Sequence, residues 1–167
     1  MFGRGSGDTI FYFLNHFKNK FERIYCFEPE IVERVKYNTS ILQGDIKDKI
    51  IYREHYAGNC KNDNGVRLEE LFEKTKVSII SMDIEGAEIE ALYGAANMIR
   101  EQKPVLAISA YHKWDDLIKF VQYLSDVKEY KFYLRKYAAL HSRNRNETVL
   151  YAVPENRISK VIDTTEE

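Results

Sequence analysis

An α/β fold, with a mostly parallel sheet between helical layers and an antiparallel hairpin at its C-terminal end, is what this sequence predicts. Short apolar runs alternate with segments of helical periodicity through the first two thirds of the chain, the order expected of parallel strands joined by crossover helices. The last third changes to two strand-like runs joined by a polar loop without helical pattern, which suits an antiparallel pair. At 167 residues and 44% apolar content, the chain is long enough for one core that buries roughly 70% of the unfolded surface.

The elements follow in order. Ile10, Phe13, Leu14, Phe17 and Phe21 recur at helical spacing, so an amphipathic helix follows the glycine-rich loop Gly3-x-Gly5-x-Gly7. Arg23 to Phe27 reads as a short buried strand, ended by Glu28-Pro29 before a helix from about Glu30 to Tyr37. Lys49 to His55 is a strand, Gly58 to Gly65 an exposed loop, and Val66 to Lys74 a helix. Val77 to Met82 is a nearly continuous apolar run, as for a central strand covered on both faces. Ala87 to Arg100 reads as one helix, Val105 to Ala110 as a strand after Pro104, and Trp114, Leu117, Ile118, Val121 and Leu124 as the stripe of the next helix. Lys131 to Leu134 and Thr148 to Val153 close the fold. One domain is expected over residues 1–154, with a polar tail over 155–167.

Composition narrows the partners. Lys and Arg number 25 against 26 Asp and Glu, so no single-sign field advertises nucleic acid or an anionic membrane. No apolar run approaches the roughly 18 residues that span a bilayer, and no leader pattern opens the chain. Cys26 and Cys60 read as free thiols, and the chain as cytoplasmic.

Several residues stand where chemistry is expected. The glycine loop opens a helix and lets backbone amides approach a ligand, although Asp8 occupies the place where a dinucleotide fingerprint wants its third glycine. Glu28, at the end of the next strand, is placed to accept both ribose hydroxyls of a nucleoside; capping the following helix is the alternative. Asp83 and Glu85 stand at the carboxyl end of the apolar strand, where open α/β sheets bind ligands, or else cap the helix beginning near Ala87. His112 leaves the next strand at the same rim, where an imidazole can take a proton near neutral pH. Arg143, Arg145 and Glu147, in or beside the loop between the last two strands, either face an acceptor there or belong to a solvated polar loop, and Tyr111, Trp114 and Tyr137 line a pocket wall or pack in the core. Asp83, Glu85, Glu88 and His112 match no closed metal-ligand set.

Taken together, GSGDTI, IYCFEPE, SMDIEGAEIEALYGA, the YH after a strand and ETVLYAVP resemble the FkbM-type family of S-adenosylmethionine-dependent methyltransferases over residues 1 to about 154. The resemblance implies a Rossmann-like class I methyltransferase, a three-layer sandwich with S-adenosylmethionine as donor and a hydroxyl on a sugar or secondary metabolite as acceptor. It assigns Gly3, Gly7 and Asp8 to the cofactor loop, Glu28 to the ribose, and Asp83 and Glu85 to the motif beside the sulfonium. Members usually carry a first strand ending in an acid just before the glycine loop, and Met1 stands in that acid's place. The expectation is an N-terminally truncated sheet with a gap and exposed edges, which leaves self-association open. His112 is the first choice as general base and Asp83 the second. The alternatives are a nucleoside-binding module without the transfer step and a nicotinamide-dependent oxidoreductase, which the glycine spacing disfavours.

Overall fold

The structure is a computed structural model that describes residues 8–17, 20–30, 32–42, 44–59, 65–127, 129–137 and 147–158. Helix α1 (Asp8–Phe17) precedes β1 (Ile24–Phe27), α2 (Val32–Asn38), α3 (Asp45–Asp48) and β2 (Ile50–Arg53). Two short strands, β3 (Tyr56–Ala57) and β4 (Gly65–Val66), lead to α4 (Leu68–Leu71) and β5 (Ile79–Met82). Helices α5 (Glu88–Tyr93) and α6 (Ala96–Gln102), strand β6 (Val105–Ser109), α7 (Asp116–Ser125), β7 (Tyr130–Tyr137) and β8 (Glu147–Pro154) complete the order.

Strands β5 and β6 are parallel, whereas β8 runs antiparallel to both β6 and β7, giving the order β5-β6-β8-β7. Strands β1 and β2 form a separate parallel pair, as do β3 and β4. Among the described residues no ladder joins β1 to β5, so the described ladder of β5 is with β6 alone. Its consequence is a correction to the reading of Val77 to Met82 as a central strand covered on both faces. Ile80 and Met82 are buried, but Ile79 is 37% exposed and Ser81 only half-buried.

Pleating explains which residues form the main core. Ile80 and Leu106, Met82 and Ile108, Leu106 and Ala152, and Ile108 and Leu150 are register partners, so they share one face of the sheet. That face meets Ala91, Leu92, Ile99, Phe120 and Leu124 from α5, α6 and α7. On β1, Tyr25 and Phe27 join this core, while Ile24 and Cys26 turn to a second cluster with Ile10 and Leu14 of α1, Val35 of α2 and Ile50 of β2. Tyr12 of α1 also lies near Tyr151 of β8, whose phenol is pushed above its ordinary value first by burial, then by the Tyr137 hydrogen bond, with Tyr12 contributing. Thus α1 packs on the β1–β2 pair and approaches the second face of the four-stranded sheet.

Other expectations shift in detail. The segment read as one helix from Ala87 to Arg100 is divided at Gly94 and Ala95 into α5 and α6, and Gly94 packs so closely on Gly58 that a Cβ there would stand 1.9 Å from its carbonyl oxygen. Val66 to Lys74 begins as the end of β4 and contains only a single short helix. Trp114 precedes α7 and is 92% exposed, so it belongs neither to that helix's stripe nor to the core; Phe120 and Leu124 supply the fully buried positions instead. Cys26 is a free, buried thiol, and Cys60 lies outside the described residues. Among the described residues no helix is long and apolar enough to cross a membrane.

Candidate functional site

The register of β5 and β6 builds the site. Because Met82 pairs with Ile108 in parallel strands, the two chains leave the sheet side by side and in the same direction. Asp83 follows Met82 directly. Ala110, Tyr111 and His112 follow Ser109, and their side chains return toward Asp83. Tyr111 donates its hydroxyl proton to Asp83 Oδ1 at 2.9 Å. His112 Nε2 lies 3.4 Å from the same oxygen and 3.8 Å from Glu85 Oε2. His112 Nδ1 points the other way, 3.0 Å from Glu88 Oε1. The imidazole is therefore set between three carboxylates.

The backbone between Asp83 and Glu88 is a tight turn with two residues in the left-handed region, Glu85 at φ 57° and Gly86 at φ 90°. Gly86 meets both demands of its position, since a side chain there would also press on the Lys113 stem at 3.0 Å. Lys113 closes the turn by donating from Nζ to the Gly86 carbonyl. Its own backbone N–H is taken by the buried Asp116 carboxylate at 2.6 Å. Both strand exits are thus tied to each other.

Electrostatically the cluster is acidic. The Tyr111 phenol is pushed well above its ordinary value by burial first and by the Asp83 hydrogen bond next; Asp83, Glu147 and Glu85 add repulsion toward its anion. Tyr111 consequently stays a proton donor to Asp83. The influence of Glu147 on Tyr111 also puts that carboxylate near the cluster. Glu147 opens β8, and the next residue's carbonyl, that of Thr148, accepts the Ala110 N–H at 2.8 Å.

Of the residues singled out in the sequence, Asp83, Glu85 and His112 come together, with Glu147 nearby. Glu28 is 7% exposed at the end of β1, its N–H donating to the Arg53 carbonyl at 3.0 Å. It follows Phe27, which lies in the same core cluster as Met82, the residue before Asp83. Gly3, Gly5, Gly7, Arg143 and Arg145 lie outside the described residues, as does the side chain of Asp8. Ala87 occupies the cap position of α5, and the acid that reaches back to the turn is Glu88, whose Oε1 accepts the Ile84 N–H at 2.8 Å.

Glu88 was not singled out as a catalytic or cofactor-binding residue. Its signal was present: an acid on the stripe Glu88, Ala91, Leu92, Ala95, every member of which is fully buried. Asp83, Glu88 and His112 also each offer one ligand atom within 4.8 Å of the others, a spacing that a small divalent cation tolerates. A surface depression of about 440 Å³ lined by Glu73 to Lys76, Glu101 and Gln102 lies at the other end of β5 and shares none of these groups.

Comparison with known proteins places the fold. The profile of the methyltransferase FkbM domain matches residues 33–138. No curated protein matches the chain. The crystal structure of methyltransferase FkbM from Methylobacillus flagellatus is 28% identical with a TM-score of 0.75, over 90% of this chain and 41% of that one. This chain therefore spans about two fifths of that protein's length. An rRNA-methylase structure from Clostridium thermocellum (11% identity, TM-score 0.58, 92% and 84% coverage) and the methyltransferase domain of bacterial CtHen1-CN (13%, 0.56, 92% and 87%) share the fold alone. With the profile spanning well over half its residues and the Asp83–Glu88 turn at its sheet rim, this chain belongs to the FkbM methyltransferase domain family.

Proposed function

We propose that this chain performs S-adenosylmethionine-dependent methyl transfer to a hydroxyl of a small acceptor, a sugar or secondary metabolite, with His112 as the proton acceptor. The observation that carries the proposal is the convergence of His112 Nε2, itself buried, on Asp83 Oδ1 at 3.4 Å and Glu85 Oε2 at 3.8 Å, two carboxylates that are partly open. The side chains of Asp83 and Glu85 are 39% and 50% exposed there, against 9% for the ring.

The residues fit such a donor. Glu28 offers an almost fully buried carboxylate at a strand terminus, suited to two vicinal hydroxyls, and the acidic rim favours a positively charged sulfonium over a phosphate. Glu28, the glycine loop with Asp8, Asp83 and Glu85 would hold the donor; Arg143, Arg145 and Glu147 would bind the acceptor. The donor supplies an activated methyl group with a good leaving group already in place. The protein's part is then orientation, worth up to roughly 7–11 kcal/mol when reacting atoms are aligned, and removal of the hydroxyl proton. His112 Nε2 receives that proton, and Asp83, held by Tyr111, then accepts from the Nε2–H of the imidazolium.

Calorimetric titration with donor and demethylated product, combined with product release measured over a panel of saccharide acceptors, tests this. His112→Ala is expected to lower kcat about 100- to 10,000-fold with little change in donor affinity, and Glu28→Ala to weaken donor binding chiefly. Unchanged turnover in the first variant removes the base. Donor binding without turnover for any acceptor favours the second reading, a nucleoside-binding module, which the divided sheet supports.

A further inference from the structure

We infer that Glu88 is the positioning residue of His112: it fixes the proton on Nδ1, leaves Nε2 as the unprotonated nitrogen, and balances the imidazolium formed when Nε2 accepts a proton. The inference rests on the proposed role of His112 in methyl transfer.

Glu88 is 0% exposed, so its carboxylate has no solvent to stabilise it. Oε1 accepts the Ile84 N–H and faces His112 Nδ1, while Oε2 is buried without a hydrogen-bond partner among the described residues. A carboxylate so placed is strongly disfavoured unless a positive charge or a proton donor stands beside it. Among the described residues Lys113 makes no ion pair with Glu88; its ammonium donates to the Gly86 carbonyl. His112 Nδ1 is the donor within reach.

The two ring nitrogens differ in kind. Both are buried, but Nδ1 faces one fully enclosed carboxylate, whereas Nε2 faces the carboxylates of Asp83 and Glu85, both partly open. Neither nitrogen makes an aligned hydrogen bond in this state, which is common before substrate tightens a catalytic site. With the proton held on Nδ1, Nε2 presents its lone pair to an acceptor hydroxyl. In the transfer, the oxygen–hydrogen bond breaks and the nitrogen–hydrogen bond forms at Nε2. The oxygen gains the methyl carbon as the carbon–sulfur bond breaks with its electrons going to sulfur. The positive charge lost by sulfur thus appears on the ring, adjacent to Glu88.

The experiment is nitrogen-15 NMR of the histidine rings in the full chain, with His112 assigned by its loss in His112→Ala. The expected result is a neutral His112 protonated at Nδ1, and a shift of that population toward Nε2–H in Glu88→Leu. Glu88→Gln keeps an oxygen for the Ile84 and Nδ1 donors but removes the charge; it should retain the tautomer and lower kcat at least 100-fold, with donor affinity within twofold. A wild-type ring protonated at Nε2 overturns the inference. So does a tautomer that ignores Glu88, or selective broadening of His112 by micromolar Mn²⁺ together with loss of activity in chelator, which would make the cluster a cation site. If His112→Ala keeps full turnover while the tautomer still depends on Glu88, the proposed base fails but the positioning contact stands.

Discussion

The two halves of this molecule are built to different standards. The β5-β6-β8-β7 sheet has a continuous ladder, eight-residue strands in β7 and β8, and one face packed against three helices. The β1–β2 pair has four residues per strand and rests on a smaller cluster with α1 and α2. An isolated two-stranded pair is marginal in water, so the second half depends on α1, α2 and the shared contacts of Tyr25 and Phe27 for its order. The cluster around His112 lies wholly on the well-built half, whereas Glu28 lies on the other. Base and proposed donor contact thereby differ in the stability of their supports.

Three measurements sharpen or break this contrast. The largest effect is expected for Phe120→Ala, which empties a fully buried site in the main core and should cost about 3–5 kcal/mol. Thermal denaturation should show it, with both halves lost together. Ile50→Val, in the smaller cluster, should cost about 0.5–1.5 kcal/mol. Hydrogen exchange should register that loss in β1 and β2 while β6 and β8 keep their protection; equal loss everywhere would mean that the halves open as one unit.

The smallest effect concerns Cys26. Burial pushes its thiol above the ordinary value. Between the unfolded and folded values the unfolded chain holds fewer protons, so the contribution present below the ordinary thiol value is lost as pH rises past it. In a Cys60→Ser background, thiol labelling of Cys26 should be faster than global unfolding and accelerate at alkaline pH. Labelling at the global unfolding rate would erase the distinction between the halves.

Much of the site was legible because it depends on local facts. Asp83 and His112 each leave an apolar run, and parallel strands send such exits to one rim. What escaped depends on distant neighbours. The need for glycine at position 94 appears only when Gly58 lies against it. Trp114 fits an apolar stripe by spacing yet falls before the helix that carries it. Glu88 reads as a helix-start acid, and its partner His112 appears only when two strand exits are set side by side.

The direction of β8 also matters for anyone wishing to alter selectivity. Since it runs against β5 and β6, its entrance at Glu147 adjoins the rim that carries Asp83 and His112, whereas its exit at Pro154 leads to Arg157, which grips the Ser78 and Gln102 carbonyls at the opposite pole. Substitutions at the start of β8 would therefore act on that rim, while those at Arg157 would act on the far side of the sheet.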